Sequence, residues 1–228
     1  KTVINQTAER WPSAKLGYAF TEPSIYPYLA ETLAYADGKH LHTSLTTNGL
    51  NLNKISSDIS RAGLKELFIS LDGPEEVHDF IRGHKGSFRR AVDGIESLLE
   101  YRNRPAISVF CVITEWNTGR LKEFVDFFAG YPLAKLGFMH PNFTPDHIAQ
   151  AHNARFGGSY PATSSNVTQT NIDKTNLDEL WQEVLRIRRT VYGYPVSFSP
   201  EIRNREDLDD FYLRPERLVG KRCIDVFR

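Results

Sequence analysis

The chain predicts an α/β fold whose parallel strands wind into a partial (β/α)6 barrel of the TIM type. Short apolar runs rich in β-branched and aromatic residues alternate with segments of helical period. Three of those runs end in polar turns: Phe20-Thr21-Glu22-Pro23, Thr46-Thr47-Asn48-Gly49 and Ser70-Leu71-Asp72-Gly73-Pro74. The carboxyl ends of parallel strands are the edge where such proteins bind ligands, so three polar strand ends in series point to an enzyme with a small polar ligand. A doubly wound open sheet shares the local pattern, and periodicity does not separate the two.

In chain order, strands are expected at 3–4, 16–20, 43–46, 67–70, 107–113 and 136–139. Leu52, Ile55, Ile59 and Ala62 define a helix face, with Gly63 as its stop. Ser87 can cap a helix facing inward through Phe88, Ala91, Val92, Ile95, Leu98 and Leu99. Leu121, Phe124, Val125 and Phe128 form another face. Asn176 with Glu179 reads as a capping pair for a last helix, buried through Leu177, Leu180, Trp181, Val184 and Ile187. Residues 142–175 lack periodicity and read as a lid, a binding loop or disorder. One connection is anomalous. A parallel crossover needs roughly a dozen residues, yet few separate the first two expected strands, and the expectation is that residues are missing around 6–10.

Composition bounds the function. The 228 residues carry a net charge of +0 and no basic run, so neither nucleic acid nor an anionic membrane is signalled. No apolar stretch reaches the roughly 18 residues of a membrane helix, and the start shows no signal peptide. A cytoplasmic protein is expected. Cys111 lies in an apolar run and reads as an inert core thiol. His40 and His42 form an H-x-H pair, but it precedes its strand and so belongs to the face opposite the ligand edge, where residues serve stability. His140, His147 and His152 are not spaced for one helix face, which argues against zinc.

The turns, with His78-Asp79, Arg82-Gly83 and Gly86-Ser87-Phe88, resemble in order and spacing the radical S-adenosylmethionine (radical SAM) enzymes, specifically the branch with a C-terminal SPASM or twitch extension. The likeness spans roughly residues 2–140. Thr21-Glu22-Pro23 matches the family's Gly-Gly-Glu-Pro motif, with Phe20-Thr21 in place of the glycines. The resemblance implies reductive cleavage of SAM at a [4Fe-4S] cluster to a 5′-deoxyadenosyl radical, which takes hydrogen from an unidentified small-molecule or peptide substrate. An electron donor such as a flavodoxin or ferredoxin is implied with it.

The family's CxxxCxxC cluster loop is absent, and its place is the anomalous connection near 6–10. Thr21, Glu22, Asn48, Ser70, Asp72 and Arg82 are the expected polar contacts to SAM. Glu22 would accept from its ammonium, Ser70 and Arg82 would donate to its carboxylate, and Asn48 and Asp72 would bond the ribose or brace the turn. Ile113 and Phe138 (or Met139) would pack on adenine. Glu115, Trp116, His140 and Asn142 would reach substrate. Cys223 is a weak candidate ligand for an auxiliary cluster. Domains are expected at 1–200, the barrel, and 201–228, a charge-rich connector. Two rivals stand beside this reading: another barrel enzyme such as an aldolase or isomerase, disfavoured for want of a Lys at a strand end, and a non-catalytic module of the same fold.

Overall fold

The computed structural model describes residues 1–142, 144, 146–164, 174–214 and 217. Its elements run α1 (Thr2–Arg10), β1 (Lys15–Tyr18), a short 3-10 turn (Pro23–Ile25), α2 (Leu29–Asp37), β2 (His42–Thr47), α3 (Leu52–Arg61), β3 (Glu66–Ser70), α4 (Glu75–Arg82), α5 (Ser87–Leu99), β4 (Ala106–Val112), α6 (Leu121–Phe127), β5 (Lys135–Met139), α7 (Asp146–Phe156), α8 (Leu177–Arg189), β6 (Val196–Ser199) and α9 (Arg205–Leu213). Among the described residues six strands form one parallel sheet in sequential order, β1 to β6. This is the open sheet of a partial barrel. No helix of the described residues is long and apolar enough to cross a membrane.

The pleat divides the sheet into two faces. Leu45, Leu67, Ile69, Val109, Leu136 and Phe198 point outward into a continuous core shared with Leu52, Ile59, Phe88, Ala91, Val92, Phe124 and Leu180 of the helices. The other, concave face carries Ser44, Thr46, Phe68, Ser70, Ser108, Phe110, Lys135 and Met139. The helix faces read from period are the buried ones.

Four expectations fail, each for a physical reason. Residues 3–4 are not a strand. They lie in α1, whose Ile4 packs with Ala36 and Leu41 while Asn5 Oδ1 accepts from the Tyr35 hydroxyl at 2.8 Å; two adjacent apolar residues carry no period to tell helix from strand. The gap inferred around 6–10 goes with it. The backbone is helical through Arg10, Trp11 N donates to Thr7 O at 2.8 Å, and a helix followed by a strand requires no crossover. The sixth strand is instead β6, hidden in the sequence by its four-residue length between Pro195 and Pro200. Within 142–175 lies α7, of which only Ala149 is buried, so its sequence shows little amphipathic pattern; residues 165–173 fall outside the described residues.

One cap differs from expectation and one agrees with it. The N-cap of α5 is Gly86, and the cap is supplied by Asp79 of α4, whose carboxylate accepts from Gly86 N, Phe88 N (2.9 Å) and Ser87 Oγ (2.8 Å). Burial pushes the Asp79 carboxyl up, but these three donors outweigh it and hold it below its usual value. Asn176 caps α8 as read, accepting from Glu179 N at 3.1 Å. Past residue 200, the stretch expected as a connector includes α9, which buries Leu208 and Tyr212 against the barrel; 218–228, with Cys223, lie outside the described residues.

Candidate functional site

Three strand ends meet at the carboxyl edge of β1, β2 and β3. Beyond β1 the chain turns through Phe20 and Thr21 into the 3-10 turn, and Glu22 caps that turn by accepting from Ser24 N at 3.0 Å. The same carboxylate accepts from Thr47 Oγ1 at 2.7 Å and from Asn48 N at 2.7 Å, joining the ends of β1 and β2. Burial pushes the Glu22 carboxyl up, yet the donors from Asn48, Ser24 and Thr47 outweigh it and keep the group below its ordinary value and ionised. Glu22 is thus a half-buried anion held at the rim by neutral donors, with no cation paired to it among the described residues.

Asn48 Oδ1 accepts from Leu50 N at 3.0 Å and braces the turn, leaving its amide NH2 to donate outward. Gly49 completes that turn at φ 80°; a Cβ there would come within 2.6 Å of Ala91 Cβ, so this position demands glycine for both conformation and space. Thr47 pairs with Ile69, which sets Asn48 beside Ser70, and the Ser70 hydroxyl makes no hydrogen bond within the described residues. Glu22, Asn48 and Ser70 therefore share one rim. A cleft of about 540 Å³, lined by Tyr18, Thr21, Glu22, Ile25 and Tyr26 among others, opens beside Glu22; its volume is in the range of small-molecule sites.

Asp72 and Arg82 form a brace. Arg82 Nε donates to Asp72 Oδ2 at 2.5 Å, and Asp72 N donates to His78 Nδ1 at 3.0 Å. Burial lowers the His78 imidazole to about 4, so it is neutral, and its 3.6 Å approach to the Asp72 carboxylate is not an ion pair near neutrality. Among the described residues the Arg82 terminal nitrogens make no hydrogen bond to Asp72. Asn117, which sequence reading missed, is wholly buried and ties this brace to β4. Its Nδ2 donates to Asp72 O at 2.9 Å and Val112 O at 2.7 Å, and its Oδ1 accepts from Thr114 N at 2.8 Å. Its link to the brace is not legible locally, since Asp72 lies in the loop after β3, far back in the chain.

Three expected contacts are displaced. Ile113 and Phe138 are fully buried and share the pleat parity of the outward face, Phe138 stacking on Phe198 at 5.1 Å. Met139, one residue on, is the side chain that emerges on the concave face. His140 is 3% exposed, with Nδ1 2.9 Å from the Tyr212 hydroxyl and the α9 aromatics Phe211 and Tyr212 over it, so it does not line the open rim. Trp116 is partly exposed, edge-to-face with Phe80 at 6.2 Å, Glu115 is half-buried beside it, and Asn142 is exposed.

His42 opens β2 at the amino edge, 3.0 Å from Glu66, and among the described residues no group of three His, Cys, Asp or Glu could hold a metal ion. Cys111 is buried, and burial pushes its thiol well up, as an inert core thiol requires.

Comparison with known proteins places this geometry. Residues 3–128 match the family model of the radical SAM superfamily. Over 105 residues the chain is 33% identical to the mycofactocin maturase MftC of Mycobacterium ulcerans, which covers 45% of this chain and 28% of that protein. Among solved structures, native anSMEcpe with bound AdoMet and Kp18Cys peptide superposes with a TM-score of 0.56 at 16% identity, covering 86% of this chain and 53% of that one. SuiB of Streptococcus suis bound to precursor peptide SuiA superposes with a TM-score of 0.56 at 13% identity, covering 93% and 46%. The structural likenesses show the fold, and the chain spans under a third of the curated relative's length. With the family model covering more than half of its residues, the chain belongs to the radical SAM superfamily, a family of enzymes that use S-adenosylmethionine and a [4Fe-4S] cluster.

Proposed function

We propose that this chain is the SAM-binding part of an enzyme that reductively cleaves SAM and abstracts hydrogen from a peptide substrate. The observation that carries it is the rim itself: an ionised Glu22 held by neutral donors, set beside Asn48 and a Ser70 whose hydroxyl makes no hydrogen bond within the described residues. SAM is a zwitterionic amino acid joined to a nucleoside, and the rim offers an acceptor for its ammonium and donors for its carboxylate and ribose. Glu22 takes the ammonium. Ser70 and the free nitrogens of Arg82 take the carboxylate, and Asn48 the ribose, with Asp72 orienting Arg82. Met139, on the concave face, replaces Phe138 and Ile113 against adenine. When bound, SAM supplies a 5′-deoxyadenosyl radical on one-electron reduction; the protein binds, orients and excludes side reactions.

The cluster is a different matter. These 228 residues hold two cysteines, one buried and one outside the described residues, and cannot supply the family's three thiolates. The reading requires them from outside this sequence. A flavodoxin or ferredoxin as donor and a cytoplasmic location belong to the same reading. The peptide substrate is supported by relatives named as a maturase and as complexes with peptides.

The test is anaerobic iron–sulfur reconstitution of the full-length protein, followed by measurement of 5′-deoxyadenosine release with reductant. Cluster absorbance with cofactor cleavage is the expected result. Loss of both would leave a non-catalytic module of the same fold.

A further inference from the structure

The concave face is layered by the strand register. One layer runs Thr46, Phe68, Ser108 and Lys135 across β2 to β5, and the next, toward the rim, runs Ser70, Phe110, Gly137 and Ser197 across β3 to β6. Phe110 packs against Gly137, where a Cβ would come within 2.6 Å of its ring, and meets Phe68 edge-to-face at 5.5 Å. Lys135 begins in the lower layer, but its ammonium reaches up over the Phe110 ring, 5.7 Å from the centroid. The result is a two-ring floor with Ser70 at one side and a lysine ammonium at the other.

That ammonium has no carboxylate within ion-pair distance among the described residues. Glu66 on the same face is held by Lys15 at 3.3 Å and His42 at 3.0 Å. Beside Lys135 in register, Ser108 is 6% exposed, and its hydroxyl makes no hydrogen bond within the described residues. A half-buried cation pinned over a ring attracts an anion more strongly than a fully solvated one.

We propose that Lys135 and Ser108 form a substrate subsite for a carboxylate carried next to an apolar or aromatic group, which rests on Phe68 and Phe110. One ammonium and one hydroxyl suit a monoanion; a phosphate would call for further donors. Only the word substrate rests on the proposed SAM reaction. The carboxylate comes either from an acidic side chain or from a chain terminus.

The test uses the full-length protein and two isosteres, 3-phenylpropionate and 3-phenylpropionamide, titrated by ligand-observed NMR. The acid should bind at least tenfold more tightly than the amide. K135Q should abolish that preference, K135R keep it, and S108A reduce it a few-fold. On wild-type protein, 3-phenylpropionate should also protect Lys135 from acetylation mapped by mass spectrometry, a readout independent of how the variants fold. N-acetylphenylalanine against N-acetylglutamate methylamide distinguishes the terminal from the side-chain carboxylate, whichever binds more tightly naming the source. Equal binding of acid and amide, or unaltered Lys135 acetylation, overturns the subsite. SAM binding measured alongside keeps the two ideas apart. A protein that binds SAM without preferring the acid refutes the subsite alone, and one that prefers the acid without binding SAM refutes the reaction alone.

Discussion

Two side chains at the rim make opposite use of their surroundings. Ser70 is uncommitted, so its hydroxyl is available to a ligand carboxylate. Substituting Ser70 by Ala should weaken SAM binding by about 1–3 kcal/mol, a bond to a charged group being at stake. Calorimetric titration of the reconstituted protein checks this, and an unchanged dissociation constant removes Ser70 from the site. Phe20 is overcommitted. It stands where the family motif has glycine, holds φ at 82°, and is fully exposed, so no packing offsets the strain. Phe20→Gly should stabilise the fold by about 1 kcal/mol, the relief of strain exceeding glycine's backbone entropy. Urea unfolding would show it as a raised midpoint; a lowered one would mean that Phe20 packs favourably.

Between elements, single polar side chains do the joining. Glu22 joins β1 to β2, Asp79 joins α4 to α5, and Glu183, buried in α8, accepts from the backbone of Leu121 at 2.6 Å and so caps α6 from across the fold. Asn117 holds the loop after β3 against the end of β4 through three hydrogen bonds. Replacing it by Ala leaves buried backbone groups of Thr114, Val112 and Asp72 unpaired and should cost about 3 kcal/mol. It should also loosen SAM binding, because Asp72 then no longer fixes Arg82. The double variant with Arg82→Ala gives the discriminating measurement: if Asn117 acts on the ligand through Arg82, its effect on affinity disappears in that background, whereas a general loss of structure would add. The helix faces and both Asn176 and Gly63 as punctuation were legible because their signals are local. The caps from Asp79 and Glu183 were not, since each joins residues distant in the chain or belongs to another helix.

For the molecule as a whole, the pH dependence of stability carries the mark of one buried ring. Burial holds His78 at about 4 against an ordinary 6.5. The unfolded chain therefore takes up its proton first as pH falls. The stability contribution is full above pH 6.5, is lost between 6.5 and about 4, and is level below that, a change on the order of 3 kcal/mol. Chemical unfolding across this window should show the decline, and H78F should remove it. A wild-type profile flat between those limits would mean that His78 is solvated. The sheet as a whole sets the other global property: among the described residues six parallel strands in sequential order form one concave face, and the candidate cofactor rim and the proposed carboxylate subsite both lie on it.

The fold class, five of the six strands and the rim that unites Glu22, Asn48 and Ser70 followed from residue order alone. Periodicity and turn chemistry are local, and parallel strands bring successive carboxyl ends to one edge whatever the detailed packing. Three things needed the folded chain. The first was that 3–4 belong to α1, because a pair of apolar residues has no period. The second was that Ile113, Phe138 and His140 are buried while Met139 emerges, because facing depends on strand parity and on α9 closing over the end of β5. The third was where Asn117 and Lys135 sit, because the neighbours that define each place come from distant segments of the chain.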